Sequence, residues 1–175
     1  MPEGNGEAQP WPAEAGSTGS GIIDGVLAYW RSIHPPGRPF PARAHLDPVE
    51  LGTLLSFVFL VDVIGDGRDF RYRLVGTDIV NHTVRDNTGR LLSELVAQGS
   101  QHSLARLYGI AVERRQAMMQ WLVYENGVGL RRWYQTLVMP LSADGQSINM
   151  LLGVAVHFQE LVAIFPAGKS RSQDH

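Results

Sequence analysis

The chain has 175 residues, enough for one domain of ordinary size with polar tails. Its 15 basic and 17 acidic residues leave a net charge of −2, which excludes a general nucleic-acid binder built on a basic stripe. It contains no cysteine, so disulfides and thiolate chemistry are excluded as well.

No apolar run approaches the roughly 20 residues of a membrane-spanning helix, so no membrane association is expected. The chain begins MPEGNGEAQP, acidic and without a basic n-region, which is not the pattern of a secretory leader. A cytoplasmic location is the expectation. The basic pairs Arg71/Arg73, Arg114/Arg115 and Arg131/Arg132 fall at strand positions and a helix end and read as solvated faces.

Residues 1–20 are rich in Gly, Pro, Ser, Ala and Glu, with a single Trp11, and are expected to form a disordered tail. Residues 21–46 hold an amphipathic helix and a Pro-rich loop. Ile22, Ile23, Val26, Leu27, Trp30 and Ile33 form one apolar stripe at helical spacing. Pro35-Pro36-Gly37 stops that helix. Asp47-Pro48 opens a second, short helix, with Asp as cap and Pro in the first helical position.

A strand pair follows. Phe57 to Ile64 is nearly unbroken in apolar character. Phe70 to Val75 alternates, with Phe70, Tyr72 and Leu74 pointing one way and Arg71, Arg73 and Val75 the other. Gly65-Asp66-Gly67 between them supplies the positive-φ residues of a hairpin turn. Gly76-Thr77 ends the second strand, and the Thr77 hydroxyl is placed to cap a short helix, Asp78 to His82. Two more helices are predicted, at Leu91 to Val96 and at Ser100 to Arg115. In the longer one Leu104, Leu107, Tyr108, Ala111 and Val112 share a face.

Three strands close the chain. Ala117 to Tyr124 and Leu130 to Met139 flank an Asn126-Gly127 turn. Asp144-Gly145 leads into Ser147 to Phe158. The even positions of that last strand (Ile148, Met150, Leu152, Val154, Val156, Phe158) are wholly apolar, and its odd positions are mixed. Leu161 to Phe165 adds a last turn or strand extension, and residues 166–175 form a polar tail. The fold class is α+β: one antiparallel sheet with helices packed on a face.

Several local motifs carry a family resemblance over about Val26 to Phe158. They are Tyr29-Trp30, Pro41-x-Arg43 followed by Asp47-Pro48, Leu60-x-Asp62, Phe70-Arg71-Tyr72-Arg73-Leu74-Val75-Gly76-Thr77, and Thr88-Gly89-Arg90. In this order they resemble a bacterial PAS family best known from short single-domain proteins of alphaproteobacteria. The resemblance implies a five-stranded antiparallel PAS-like sheet over residues 47–165, helices on one face and an extra N-terminal amphipathic helix. It implies a sensory or interaction module with no common reaction.

The enzymatic alternatives lack motifs. No G-x-S-x-G elbow and no Gly-rich phosphate loop occurs. The six histidines are scattered, and no pair has helical metal-ligand spacing within a coherent motif, so no metal site is expected. Without cysteine, neither a LOV-type flavin adduct nor a photoactive-yellow-protein-type chromophore anchor can form. The cofactor is unknown. None is the leading expectation, with haem on His82 or His102 and non-covalent flavin left open.

Tyr72, Arg73, His82, His102, Trp121, Tyr134 and Met150 are the candidate ligand-pocket residues. For Arg73 the alternatives are a carboxylate ligand and a structural ion pair with Asp62. The helix stripe Ile22, Ile23, Val26, Leu27, Trp30 and Ile33 either folds over the sheet of its own chain or pairs with a second copy, and a homodimer is the favoured expectation. The functional expectation is a non-enzymatic regulatory module that binds a small ligand or a signalling protein partner. The alternatives are a ligand-free dimerisation or adaptor scaffold and, more weakly, a haem or flavin sensor.

Overall fold

In the computed structural model, which describes residues 9–10, 18–96, 102–125 and 131–161, Ser20 opens the first helix. The Ile23 amide donates to Ser20 Oγ at 3.4 Å, and α1 runs over Gly21–Ser32. Asp47 caps α2 (Pro48–Leu51): the Val49 amide donates to its carboxylate at 2.8 Å, and Pro48 takes the first turn as expected. A 3₁₀ turn, Gly52–Phe57, delivers the chain into the sheet.

The first hairpin joins β2 (Val58–Ile64) to β3 (Asp69–Val75). Its turn places Gly65, Asp66 and Gly67 at φ of 57, 57 and 94°, the conformation anticipated for this glycine-flanked triplet. Three helices follow: α3 (Thr77–Thr83), α4 (Leu92–Val96) and α5 (His102–Arg114). The anticipated Thr77 cap is not made, because Gly76 holds the cap position and Thr77 is already helical. The chain closes with β4 (Met118–Glu125), β5 (Arg131–Leu141) and β6 (Met150–Leu161).

Every pairing among the described residues is antiparallel, and with β1 at Gln9–Pro10 the strands lie in the order β1-β4-β5-β6-β2-β3. Five of these six are the expected strands. The sixth, β1 (Gln9–Pro10), adds two residues to the free edge of β4 opposite Met119 and Met118. Thr18 is buried nearby, and its carbonyl accepts from Gln135 Nε2 at 3.1 Å. The expected disordered tail is therefore corrected at Gln9–Pro10 and at residues 18–20: an open strand edge offers backbone partners that composition does not reveal. Trp11, the Asn126-Gly127 turn and residues 162–175 lie outside the described residues.

The sheet is buried on both faces. One face, with Phe59, Val61, Phe70, Tyr72, Tyr134, Leu151 and Ala155, packs against Leu92, Leu95, Leu104, Leu107, Tyr108 and Ala111 of α4 and α5. The opposite face, with Val58, Leu60, Leu137, Met139, Met150, Leu152 and Val154, packs against Ile23, Val26 and Leu27 of α1. Those three α1 side chains are fully buried within their own chain, so Ile23, Val26 and Leu27 are corrected as dimer-surface residues. The rest of the stripe (Ile22, Trp30, Ile33) is half-buried, and Trp30 Nε1 donates to the Pro140 carbonyl at 3.1 Å.

Two local departures reset which residues share a face. The register between β2 and β3 shifts at Leu60/Val61, leaving Arg73 as the extra residue of a β-bulge. Phe70 and Tyr72 still share the inner face, but Leu74 joins the α1 side and Val75 the inner side, opposite to strict alternation. Likewise β6 begins at Met150, so Ile148 lies before the strand and packs inward while Met150 packs outward.

Gly153 pairs with Phe59 across β6 and β2, and a Cβ at Gly153 would overlap the Phe59 ring. Gly153→Ala should lower stability by about 1–3 kcal/mol, the usual cost of overpacking, read as a lower urea midpoint. An unchanged midpoint would mean that the Phe59 ring does not lie there.

Candidate functional site

The inner face of the sheet carries an aromatic core. The Phe59 ring centroid lies 6.1 Å from that of Tyr72 and 6.0 Å from that of Tyr108, and Phe70 meets Tyr108 edge-on at 5.3 Å. The Tyr72 and Tyr108 hydroxyls are hydrogen-bonded at 3.2 Å. These rings occupy the space between the sheet and helices α4 and α5. Burial pushes the Tyr72 phenol up to about 12, against the Tyr108 hydrogen bond, and raises Tyr108 and Tyr134 well above the ordinary range.

Polar chemistry gathers at one end of this core, where α3 meets β6. Asp78 and His82 stand one turn apart on α3, with His82 Nδ1 3.3 Å from the Asp78 carboxylate. The same nitrogen lies 2.9 Å from the Asp78 carbonyl, and since a carbonyl only accepts, Nδ1 is the donor. The His82 ring stacks on His157 of β6 at 4.9 Å and 8°. On its other side His157 stacks on Tyr134 at 5.2 Å, and Tyr124 meets it edge-on at 4.8 Å. His157 Nδ1 is buried and has no hydrogen-bond partner among the described residues. Burial, with His82 adding, pushes the His157 pKa down to about 3, so the ring is neutral at pH 7.

The candidate residues divide by face. Tyr72, Tyr134 and His82 belong to the inner wall or its polar end. Arg73 does not: it is 62% exposed and makes a two-pronged ion pair with Asp62, at 2.7 and 3.3 Å. The bulge aims it at the neighbouring strand, so the structural alternative holds and Arg73 lines no pocket. His102 is exposed at the first residue of α5. Trp121 meets Phe158 in a tilted contact at 5.1 Å on the outer face, and Met150 packs in the α1 cluster. Arg73, His102, Trp121 and Met150 are thus corrected as pocket residues.

Sequence reasoning missed His157, Tyr124, Tyr108 and Asp78. The signal for His157 was present: Leu151, Gly153, Ala155 and His157 alternate along β6 and share the inner face. The Asp78–His82 spacing, one helical turn, was readable as well.

The antiparallel order β4-β5-β6-β2-β3, with helices spanning its inner face, is the arrangement of a PAS-type domain. The PAS_5 family, described as PAS domain, matches residues 23–156, and the chain belongs to it. No curated protein matches the chain in sequence. Among solved structures, an RNA-binding light-oxygen-voltage receptor is 13% identical with a TM-score of 0.49, over 86% of this chain but only 37% of that one. The LOV domain of a blue-light activated histidine kinase from Erythrobacter litoralis is 14% identical, with a TM-score of 0.47 over 58% of this chain and 94% of that one. The PAS domain of the fruit-fly ELK potassium channel is 9% identical, with a TM-score of 0.49 over 64% and 94%. These likenesses concern fold and do not extend to what those proteins sense. No described helix is long and apolar enough to cross a membrane.

Neither cofactor left open by the sequence fits the residues present. For a non-covalent flavin, the space between sheet and helices is taken by Phe59, Tyr72 and Tyr108. His102 stands outside the core and His82 is stacked on His157, so neither presents an axial nitrogen to that interior.

Two outcomes test the aromatic core. Tyr72→Phe should cost about 1–3 kcal/mol in urea unfolding by removing the partner of the buried Tyr108 hydroxyl, and Tyr72→Phe with Tyr108→Phe should recover most of that loss. Below about pH 10 the phenols keep their protons in both folded and unfolded chains. Above it the unfolded chain loses them first, so stability should fall as pH rises from about 10 toward 12, in step with tyrosinate absorbance.

Proposed function

We propose that the chain is a non-enzymatic PAS-type regulatory module that senses at the polar end of its core, where α3 meets β6, and passes the signal to a partner protein in the cytoplasm. The observation that carries this reading is the Asp78–His82–His157 cluster, a constellation of titratable groups at the rim of a largely apolar interior. A ligand that touches α3 and β6 together favours one arrangement of the two, which is the requirement for a population shift. β6 also carries Leu152 and Val154 against α1 on its far face, so a change at His157 has a packed route to the first helix. The partner reads that helix and its surroundings.

A second reading, a ligand-free scaffold, is favoured by one observation: the Phe59 ring over Gly153 fills the centre of the fold. A homodimer built on the α1 stripe belongs to neither reading, since Ile23, Val26 and Leu27 are spent on their own sheet.

Native mass spectrometry of the purified chain, with an absorption spectrum of the same sample, separates the two. The sensor reading expects one bound species beyond the chain mass that is lost on denaturation. A bare chain that co-purifies only with a protein would support the scaffold.

A further inference from the structure

We propose that Asp78, His82 and His157 form a binding site for a divalent first-row transition metal of the zinc class. The inference rests on the sensing end described above and names its ligand.

The three residues come from two elements, with Asp78 and His157 standing 79 positions apart, yet their ligand atoms all lie within 4.8 Å of one another. Asp78 and His82 share one face of α3, and His157 faces them from the inner side of β6. All three are half-buried, so the site is enclosed but open to an arriving ion. Bonds of about 2.0–2.1 Å would bring tetrahedral ligand atoms to roughly 3.3 Å apart, so the group must draw in by up to about 1.5 Å. Side-chain rotation on α3 supplies a movement of that size.

Two further observations point to a metal and not to an ordinary polar contact. His82 Nδ1 donates to the Asp78 carbonyl, which orients the ring and leaves the lone pair on its other nitrogen. His157 Nδ1 is buried and finds no hydrogen-bond partner among the described residues, an arrangement that costs stability unless something occupies it. A metal ion satisfies that nitrogen and neutralises the Asp78 carboxylate in one step.

The donor set decides the class. Two imidazoles and one carboxylate suit zinc, nickel or ferrous iron. Calcium and magnesium prefer all-oxygen shells, and a thiolate-bound copper(I) or iron–sulfur centre is ruled out by the absence of cysteine. Water completes the coordination. Because the ligands come from α3 and β6, binding clamps these elements together, which is the coupling a sensory module requires.

The test is calorimetric titration of the chelator-treated full chain with zinc chloride, accompanied by thermal melts. The expected result is one ion per chain with a dissociation constant of about 10 µM or tighter, and a melting temperature that rises with zinc. His82→Gln and Asp78→Asn, on one half-buried helix face, should each weaken binding at least about tenfold while leaving far-ultraviolet circular dichroism unchanged. His157→Gln should do the same, and if it fails to fold the two α3 variants still decide. No saturable binding, or binding undiminished in both α3 variants, overturns the proposal. A chain that refuses zinc yet carries another bound species in its native mass also overturns the metal site, while leaving the sensory reading intact.

Discussion

The interior is arranged around one close contact, the Phe59 ring lying over the bare backbone of Gly153. Only glycine lets a central strand come this near an aromatic face. Once Phe59 is there, Tyr72 and Tyr108 close on it, and Phe70 closes on Tyr108. The middle of the fold is then occupied by the chain's own rings. Farther along the same face of β6, past Ala155, His157 meets His82 of α3.

The outer face obeys a different constraint. Leu137, Met139, Leu152 and Val154 form an apolar surface too large to leave in water, and α1 covers it. Burying Ile23, Val26 and Leu27 stabilises the chain by about 1.5–3 kcal/mol for each side chain. A second copy could offer a similar stripe, but would first have to meet the additional entropic cost of association. Intrachain docking avoids that cost. The result places α1 directly behind β6, so that one strand carries the histidine site on one side and the first helix on the other.

Much of the fold was legible because its signals are local. Helix stripes, the Asp47-Pro48 start, the Gly65-Asp66-Gly67 turn and the alternation in β6 all lie within a few residues of chain. The candidate site was less legible because its determinants are long-range. Period two says that Met150, Leu152 and Val154 share a face, but not that this face meets α1, which is why Met150 and Trp121 were assigned inward. The Arg73–Asp62 pair could be anticipated from adjacent strands, whereas the bulge that aims Arg73 could not. His157 joins His82 only once β6 has been set beside β2 and α3 laid across it, a juxtaposition no single stretch of chain encodes.

The claim on which the rest depends is that the centre of the fold is filled by its own side chains, leaving the rim as the sensing end. Xenon enters dry apolar cavities and marks them as discrete electron density. A crystal of the ligand-free protein under xenon pressure is the most direct measurement. The account predicts no xenon between Phe59, Tyr72 and Tyr108. An ordered xenon atom among those three rings would show an open interior chamber and contradict it.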